Sequence, residues 1–428
     1  MIQKIKALLR NTFVYRFYKT MRGKYALLKY DNPSNGMFVI GITGTNGKTT
    51  TSFMIHHIFN TLIDKAFLLG TNEIKYGTES VANTSKMTSP DVMDVQKYLA
   101  QAKAQGCHIA VLETASHGLD QDRFHGIDFD MGILTNITPE HLDYHKSMEE
   151  YAKTKKKLFQ NVATNSKPNK MAILPKDDKI GREWADELGI EKTMTFGIVS
   201  GATLKAEAIT YTVDSTSFTI NYMGQLFPMT MKMVGIHNVY NTLTALCAGL
   251  VVGLDLNDMI ATFTTFQPPL GRMEPIIHNN THYFVDFAHT PDALEKTLSY
   301  LASIKKDGRL LLLTGAMGQR DRFKRPMMGK LADQYADIIV LADEDPGEEP
   351  RFQIIQEIKD GINRYDGDNL FIIPDRQKAI QFLTQIARPG DVVLLAGKGH
   401  ETVMSVPGGK ISRNEKVILE NYLQEKGV

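Results

Sequence analysis

The sequence predicts an α/β protein with two sheet-based parts. Short apolar runs alternate with helix-compatible stretches through most of the 428 residues, an order that favours parallel strands joined by crossover helices. The prolines of Gln267-Pro-Pro-Leu-Gly271 interrupt this alternation once and mark a boundary. A chain of this length also exceeds what one hydrophobic core normally supports. We therefore expect one domain at 37–270 and a second at 271–428.

The composition is that of an ordinary globular protein and excludes several other classes. Apolar residues make up 43% of the chain and charged residues 23%, with a formal net charge of +1. No overall field therefore favours nucleic acid. The two cysteines, Cys107 and Cys247, are too few for a disulfide framework. No apolar run approaches the roughly 18 residues needed to cross a bilayer, and no secretory signal is found, so we expect a cytoplasmic protein.

Residues 1–36 are predicted to form a basic helical segment. The first 30 residues contain eight Lys or Arg and no acidic residue. We expect the helix to pack its apolar side on the body and to leave its basic face in solvent. The alternative is a weak contact with an anionic surface, either a diphosphate substrate or acidic lipid. The apolar positions at helical spacing are Ile2, Ile5, Leu9, Phe13, Phe17 and Met21.

The first strand and helix of the sheet region flank a glycine-rich loop. Met37–Ile40 is apolar enough for a buried strand, and a helix can run from Thr49 to about Phe59. Backbone N–H groups in such a turn, together with the helix N-terminus, form a site for phosphate oxygens. Lys48 would reach the phosphates and Thr49 would ligate Mg²⁺, although Ile42 stands where the usual pattern has glycine. The nucleotide-binding candidates in this loop are Gly44, Thr45, Asn46, Gly47, Lys48, Thr49 and Thr50.

The remaining elements follow from apolar runs and turn residues. Parallel strands are predicted at Ala66–Leu69, His108–Leu112, Met131–Thr135 and Met171–Leu174. Three antiparallel strands and a helix follow, at Ala206–Tyr211, Thr216–Tyr222, Phe227–Met233 and Asn238–Gly249. Strands of the second part are predicted at Tyr283–Phe287, Leu310–Leu313, Ile338–Leu341, Leu370–Ile373 and Val392–Leu395. The predicted fold is a P-loop-type central domain with a parallel sheet and a small antiparallel sheet, followed by a Rossmann-like C-terminal domain.

Polar side chains follow two of the predicted strands directly. Glu113 ends one strand, and ligands of open α/β sheets bind at this edge, so its carboxylate is a natural second Mg²⁺ ligand. His141 and His145 follow the next strand four residues apart, a spacing at which one helix face could bind zinc. Mg²⁺ prefers oxygen donors, so the role of the pair stays open. For the lysine-rich segment 153–159 we expect a solvated helix face.

The order of these motifs resembles that of the Mur ligases, most closely the branch that adds the third residue of the peptidoglycan stem peptide. The motifs that carry the resemblance are Thr43–Thr50, Glu113–Arg123, Thr135–His145, Tyr151–Phe159, Gly235–Asn241, Gly271–Glu274, Val285–Asp292, Arg320–Pro326 and Gly397–Glu401. The resemblance implies that ATP phosphorylates a substrate carboxylate and that an amino acid amine attacks the acyl phosphate. An amide forms, and the substrates are a muramoyl peptide and a free amino acid.

The resemblance also implies roles for residues around ATP. Thr49 and Glu113 would hold a first Mg²⁺ ion, and His141 a second one. Lys155 matches the lysine that becomes a carbamate and positions that metal, so Lys48, Glu113, His141 and Lys155 form the implied catalytic set. Further ATP contacts are implied at Asn238, Asn241, Arg272 and Asp286.

Substrate positions are implied in the same way. The muramoyl peptide would contact Thr88, Ser89, Ser116, Gln121 and Arg123, and the incoming amino acid would contact Arg320, Glu344, Asp345 and Glu401. Gly347 stands where enzymes for meso-diaminopimelate have an arginine, so we expect a basic diamino acid such as lysine or ornithine. Because the phosphate loop begins near residue 41, we also expect the family's N-terminal UDP-binding domain to be missing.

Three other interpretations remain. A ligase of the folylpolyglutamate or cyanophycin type would share the ATP site. A nucleotide-binding scaffold would bind nucleotide but would have lost the catalytic activity. An NAD-binding oxidoreductase, suggested by Gly315-Ala-Met-Gly318, lacks the acidic residue expected beyond such a turn. We expect a monomer.

Overall fold

The computed structural model describes residues 13–85, 87–199 and 201–425. Within them, residues 38–231 build one large mixed sheet and residues 274–396 build a second sheet. The predicted α/β fold, with parallel strands, antiparallel strands and a second α/β unit, is confirmed. The limits set at residues 37, 270 and 271 stay predictions.

Strand β1 lies near the middle of the large sheet, and the glycine-rich loop of residues 44–50, here called the phosphate loop, follows its carboxyl end. Its described strands are β1 (Phe38–Thr43), β2 (Ala66–Leu69), β3 (Glu73–Tyr76), β4 (Glu79–Ala82), β5 (Ile109–Glu113), β6 (Met131–Leu134), β7 (Met171–Pro175), β8 (Lys192–Gly197), β9 (Leu204–Tyr211), β10 (Thr216–Tyr222) and β11 (Gln225–Met231). They are hydrogen-bonded in the order β11-β10-β9-β8-β7-β6-β1-β5-β2-β3-β4. Strands β5 and β6 flank β1 in parallel, so Glu113 and the loops after β1 and β6 meet at one edge.

Helices cover both faces of this sheet, which is why its central strands are apolar throughout. The described helices of this part are α1 (Phe13–Tyr30), α2 (Lys48–Leu62), α3 (Val92–Ala104), α4 (Ser116–Asp120), α5 (Leu142–His145), α6 (Met148–Thr164), α7 (Lys179–Glu187), α8 (Ile236–Val251) and α9 (Leu256–Thr262). Helices α2 and α8 pack on one face, and α3, α6 and α7 pack on the other.

Two parts of the large sheet were not predicted. Strand β8 joins the antiparallel strands β9, β10 and β11 to the parallel ones, so all of them lie in a continuous sheet. The hairpin of β3 and β4 adds the opposite edge. Both are short and half polar, and such strands give little periodic signal.

The second sheet has the order β12-β13-β17-β14-β15-β16, in which only β12 is antiparallel to its neighbour. Its described strands are β12 (Glu274–His278), β13 (Thr281–Asp286), β14 (Leu310–Thr314), β15 (Ile338–Leu341), β16 (Leu370–Ile372) and β17 (Val392–Ala396), and β18 (Val403–Val406) pairs with β19 (Gly409–Ser412) beside it. Its described helices are α10 (Pro291–Ile304), α11 (Lys324–Tyr335), α12 (Arg351–Lys359), α13 (Arg376–Ile386) and α14 (Glu415–Glu425). Helices α10 to α12 cover one face and α13 and α14 the other.

Helix α1 differs from the prediction in its orientation. It packs on the body through a side that includes Gly23 and Ala26, both buried. The predicted apolar positions Phe17 and Met21 are exposed instead. The expectation of a buried apolar side is therefore wrong for these turns, and the prediction for residues 1–12 lies outside the described residues. Among described helices, none is long and apolar enough to cross a membrane.

Candidate active site

A cavity of about 720 Å³ lies where the two sheet regions meet. The phosphate loop and the segments after β5 and β6 form one wall, and residues 272–297 with 317–324 form the other. Asn46 of the loop donates a hydrogen bond to Asp292 at the start of α10, with 2.8 Å between Nδ2 and Oδ2. The two halves of the cleft are thus in direct contact at the phosphate loop.

The phosphate loop depends on two glycines with positive φ. Gly44 has φ of 147° and Gly47 has φ of 85°, and Gly47 caps helix α2 in the left-handed conformation. A Cβ at Gly47 would lie 2.3 Å from Oδ1 of Asn241, so a larger residue would clash. Lys48 Nζ donates to the carbonyls of Gly44 and Thr45 at 2.9 and 2.7 Å. Burial lowers the pKa of Lys48, and nearby Glu140 and Glu113 oppose this.

Glu113 is fully buried and organises the floor of the cleft. Its Oε2 accepts hydrogen bonds from the Thr49 and Thr71 hydroxyls at 3.0 and 2.9 Å. Its Oε1 accepts from the Thr71 N–H at 2.9 Å and from Ser52 Oγ at 3.3 Å. Thr71 follows β2 and was missed, because a single threonine after a strand carries no distinctive sequence signal.

Lys155 is buried, with 1% of its surface exposed, so the expected solvated face is wrong at this position. Its Nζ donates to the Gly44 carbonyl at 2.7 Å and lies 4.4 Å from the centre of the Tyr151 ring. Burial and the nearby charge of Lys48 lower the pKa of Lys155 well below its ordinary value. The site thus favours an uncharged amine directly behind the phosphate loop.

Glu140 is a further residue of this site that the sequence analysis did not select. Its carboxylate lies 3.3 Å from His289 Nε2 and 3.6 Å from His141 Nε2. Burial raises the pKa of Glu140, but His141, His289 and Lys48 together lower it below the ordinary value. Its place in the segment after β6 was the available signal, yet the two histidines of that segment drew the interpretation instead.

The two histidines of this segment have separate partners. His141 has a left-handed backbone with φ of 57° and its ring lies 4.8 Å from that of His117. His145 is buried and its Nε2 lies 3.0 Å from Ser116 Oγ. Burial, followed by the charges of His141 and His145, lowers the pKa of His117 to about 3. Burial also lowers the pKa of His141, so burial disfavours the charged forms of His117 and His141.

The C-terminal side of the cleft presents the half-buried guanidinium of Arg272. Arg272 lies over the Phe287 ring at 4.6 Å, and no hydrogen-bond partner for its Nε exists among the described residues. Burial lowers the pKa of Arg272, and Asp286 and Glu113 oppose this. The carboxylate of Asp286 accepts from the Met273 N–H at 3.0 Å and from Thr297 Oγ1 at 3.2 Å. An anion in the cleft would satisfy Arg272.

Asn238 and Asn241 lie side by side on α8 and both line the cavity. Asn241 Nδ2 donates to Asn238 Oδ1 at 3.1 Å, and Thr51 Oγ1 donates to Asn241 Oδ1 at 3.2 Å. Asn238 Nδ2 donates to the Val234 carbonyl at 2.8 Å. Asn241 therefore supports the phosphate loop as well as facing the cleft.

A second group of predicted residues forms the opposite end of the cleft. Ser89 Oγ donates to the Glu113 carbonyl at 3.0 Å, and Arg123 donates to the Ser89 carbonyl. Arg123 also donates to Gln121 Oε1 at 2.9 Å. The hydroxyl oxygens of Thr88 and Thr71 lie 3.1 Å apart, within hydrogen-bond distance. Most of the residues predicted to bind the muramoyl peptide thus lie in one loop cluster beside Glu113, whereas the Ser116 side chain contacts His145.

The residues predicted to bind the amino acid separate into two groups. Arg320 is exposed and lines the cavity with Glu401. Asp345 and Glu401 both pair with the buried Lys398, with 2.9 Å from Nζ to Asp345 Oδ2. Glu344 is 1% exposed, and neither of its carboxylate oxygens has a hydrogen-bond partner among the described residues. Burial raises the pKa of Glu344. Neither Glu344 nor Asp345 lines the cavity.

The donor set fits a magnesium ion that also binds phosphate. Thr49 and Glu113 supply hard oxygen atoms, which Mg²⁺ prefers, and it commonly takes few protein ligands besides substrate phosphates. The described residues contain no cluster of three or more His, Cys, Asp or Glu side chains that could hold a metal ion.

Comparison with known proteins assigns the family. The model of the Mur ligase middle domain matches residues 42–249, and that of the Mur ligase, glutamate ligase domain matches residues 271–399. The chain belongs to the Mur ligase family. Members of this family are ATP-dependent ligases that form peptide bonds, and this chain is accordingly such an enzyme.

Several relatives cover most of the chain. UDP-N-acetylmuramyl-tripeptide synthetase 2 of Oceanobacillus iheyensis is 35% identical over 91% of this chain and 78% of its own length. UDP-N-acetylmuramoyl-L-alanyl-D-glutamate--2,6-diaminopimelate ligase of Chromobacterium violaceum is 38% identical over 92% of this chain and 79% of its own length. A solved structure of a 2,6-diaminopimelate ligase of the same name superposes with a TM-score of 0.63 at 29% identity, covering 92% of this chain and 79% of the other.

Proposed function

We propose that this Mur ligase adds a basic diamino acid to a muramoyl dipeptide in peptidoglycan synthesis. The meeting of Lys48 and Arg272 at one cavity carries the proposal, because each comes from a different sheet region. The relatives that act on UDP-N-acetylmuramoyl-L-alanyl-D-glutamate support the choice of acceptor. A site of this kind can bind a nucleotide triphosphate between two domains and act on a carboxylate beside it.

The reaction proceeds in two steps on the proposed substrates. A carboxylate oxygen of the dipeptide attacks the γ-phosphorus of ATP, ADP leaves, and an acyl phosphate forms. The amine of the diamino acid then attacks the acyl carbon, and phosphate leaves as the amide forms. Lys48 and Arg272 hold the phosphates and stabilise the negative charge that is redistributed during phosphoryl transfer.

Two Mg²⁺ ions and a carbamate on Lys155 belong to this proposal. Thr49 and Glu113 would hold the first ion, and His141 with Lys155 would position the second. Bound there, Mg²⁺ neutralises charge on the transferred phosphoryl group. The lowered pKa of Lys155 supports the carbamate, because only an uncharged amine reacts with carbon dioxide.

The remaining ATP contacts are proposed from the positions of side chains along the cleft. Asn238 and Asn241 lie on the α8 side and Asp286 on the opposite side, where they would hold the nucleoside part. The main-chain N–H groups from Gly44 to Thr50 would bind the phosphates. Asn46 already bridges to Asp292, so the two halves of the cleft meet at the phosphate loop. Further closure around ATP would complete the nucleotide site.

The charge at the amino acid end supports a cationic side chain on the substrate. Asp345 and Glu401 share a single buried ammonium, that of Lys398, so this group of three has one carboxylate charge in excess, and Glu401 lines the cavity. Gly347 contributes no guanidinium that could pair with a second substrate carboxylate. Arg320 would hold the α-carboxylate, and Glu401 would meet the distal amine. We therefore propose lysine or ornithine in preference to meso-diaminopimelate.

Release of ADP by the purified chain tests the proposal directly. The panel contains L-lysine, L-ornithine and meso-diaminopimelate, each with muramoyl dipeptide carrying or lacking the UDP group. We expect ADP release only when acceptor and amino acid are both present, with lysine or ornithine fastest, and none from Lys48→Ala. Faster release with meso-diaminopimelate would reject the proposed specificity. ADP release with a folate acceptor, together with none from any muramoyl acceptor, would reject a role in peptidoglycan synthesis.

The proposal also includes the state and setting of the enzyme. We propose a monomer that works in the cytoplasm, where ATP and nucleotide-linked precursors are available. The chain contributes residues from both of its sheet regions to a single cleft, which supports activity without a second copy. An anionic membrane surface is proposed as a further partner through residues 1–30, on evidence from a helix outside the cleft.

A further inference from the structure

Helix α1 presents its larger apolar side chains to solvent. Tyr18, Met21, Tyr25 and Leu28 are spaced three and four residues apart, which places them on one side of the helix. Their exposed fractions are 53%, 48%, 59% and 84%. A helix on the surface of a globular protein normally turns such a stripe toward the core. The orientation of α1 is therefore the reverse of the usual one.

Close packing fixes this orientation. A Cβ at Gly23 would lie 2.5 Å from the His125 ring, and a Cβ at Gly126 would lie 2.4 Å from the Leu27 side chain. Ala26 is fully buried on the same side. Arg22 pairs with Asp91 at 2.8 Å, just before helix α3. The helix cannot roll its apolar stripe inward without breaking these contacts.

The charge of residues 1–30 indicates which kind of surface would contact the exposed apolar side chains of α1. Lys24 and Lys29 are exposed and border the apolar side chains. The helix contains no acidic residue, and neither does the remainder of residues 1–30, which contain eight Lys or Arg. An apolar stripe bordered by lysines is typical of helices that lie in the interface of an anionic bilayer. Contact with a second copy would instead bring like charges together.

We propose that helix α1 docks this enzyme onto the surface of an anionic lipid bilayer. Tyr18, Met21, Tyr25 and Leu28 enter the boundary between headgroups and acyl chains, and Lys24 and Lys29 contact the anionic headgroups. The opposite side of α1 packs against His125 and Gly126, which follow Arg123 in the chain. Arg123 lines the cleft, so docking keeps this part of the cleft close to the membrane. The inference does not depend on the proposed substrates.

Sedimentation of the full chain with vesicles tests the proposal. The vesicles consist of phosphatidylcholine alone or of phosphatidylcholine mixed with phosphatidylglycerol. We expect binding to the mixed vesicles, weak binding to the neutral ones, and loss of binding as salt is added. Equal binding to both vesicle types, or no binding to either, would overturn the proposal.

Two pairs of substitutions separate the apolar and the charged contributions. Met21→Ser with Leu28→Ser should weaken binding to mixed vesicles by about tenfold or more, because two apolar side chains leave the lipid. Lys24→Gln with Lys29→Gln should weaken it by about fivefold per lysine. The matched control is Met223→Ser with Leu226→Ser, which removes an exposed Met and an exposed Leu from the hairpin of β10 and β11. A control variant that loses binding as strongly would overturn the assignment to α1.

Sedimentation velocity without lipid distinguishes a second copy of the chain. The proposal predicts the same monomer for the parent and for Met21→Ser with Leu28→Ser. A parent dimer that the double substitution dissociates would assign the stripe to self-association and reject the membrane. ADP release with dissolved substrates should be unchanged in both pairs, which shows that the variants fold.

Discussion

Replacing Lys155 with methionine tests whether this lysine has a structural or a catalytic role. Lys155 is buried behind the phosphate loop, with its Nζ 2.7 Å from the Gly44 carbonyl. Methionine is unbranched and of similar length, so Lys155→Met keeps the packing against Tyr151 and removes only the amine. The substitution therefore tests the amine and its proposed carbamate rather than the packing.

The structure predicts a small effect of Lys155→Met on stability. Loss of a hydrogen-bond donor normally leaves a buried carbonyl unsatisfied, at about 1–3 kcal/mol. The Gly44 carbonyl also accepts from Lys48 Nζ at 2.9 Å, so it retains a donor. Methionine is also apolar, so it avoids the cost of burying an amine whose pKa burial lowers. The free energy of unfolding should therefore change by no more than about 1 kcal/mol.

The predicted effect on activity is much larger. If Lys155 supplies a carbamate beside the phosphates, its removal should lower kcat by about 100-fold or more, as for loss of a preorganised group that stabilises transition-state charge. Urea unfolding and ADP release measure the two effects on the same sample. Lys153→Met is the matched control, because Lys153 is exposed on the same helix.

Chemical rescue provides the decisive comparison. Lys155→Ala leaves room for a short carboxylate, so acetate or formate should restore part of its activity. Parental kcat in Lys155→Met would refute the reasoning. A loss of activity that matches a loss of folding, with no rescue of Lys155→Ala, would assign Lys155 a structural role.

Three further predictions follow from single side chains. Arg272→Met should raise the KM for ATP by about 10- to 100-fold, because hydrogen bonds to a charged group are lost, while urea unfolding shows no loss of stability; an unchanged KM would contradict this. Glu140→Gln and His289→Gln should show a coupling of about 1 kcal/mol or more in a double-mutant cycle of unfolding free energy, and additive effects would remove the proposed contact between them. Burial lowers the pKa of His56 to about 4, so the unfolded chain binds more protons between pH 4 and pH 6.5, and stability falls as pH decreases through this range. His56→Gln should abolish about 3 kcal/mol of that decrease in urea titrations, and an unchanged pH dependence would disprove the buried neutral histidine.

The sequence predicted those elements whose pattern is set locally. Strand Ala66–Leu69 and strand Ile338–Leu341 were located to the residue, because each is a short apolar run that follows a charged residue and ends before a small one. The phosphate loop was equally clear, since glycines with positive φ leave a direct trace in the sequence. Position at the carboxyl end of a strand correctly brought Glu113 to Thr49.

Properties that depend on the neighbours of a residue could not be predicted in this way. The helical pattern of residues 13–30 identifies an apolar side but not the surface that it contacts. Lys155 lies among lysines in the sequence, and only its packing beneath Gly44 explains its burial. The pairing of Asp345 with Lys398 could not be predicted either, because the two residues are 53 positions apart in the sequence. Such pairings arise from tertiary contacts that a local pattern does not contain.

Transfer of an oxygen atom from the acceptor tests the central claim most directly. The acceptor carboxylate is labelled with oxygen-18, and the phosphate released with L-lysine is examined by phosphorus NMR. An acyl phosphate leaves one labelled oxygen from the carboxylate in the released phosphate. Labelled phosphate, dependent on Lys48, is the predicted result. Unlabelled phosphate, or label appearing in AMP, would contradict activation of the carboxylate by the γ-phosphoryl group.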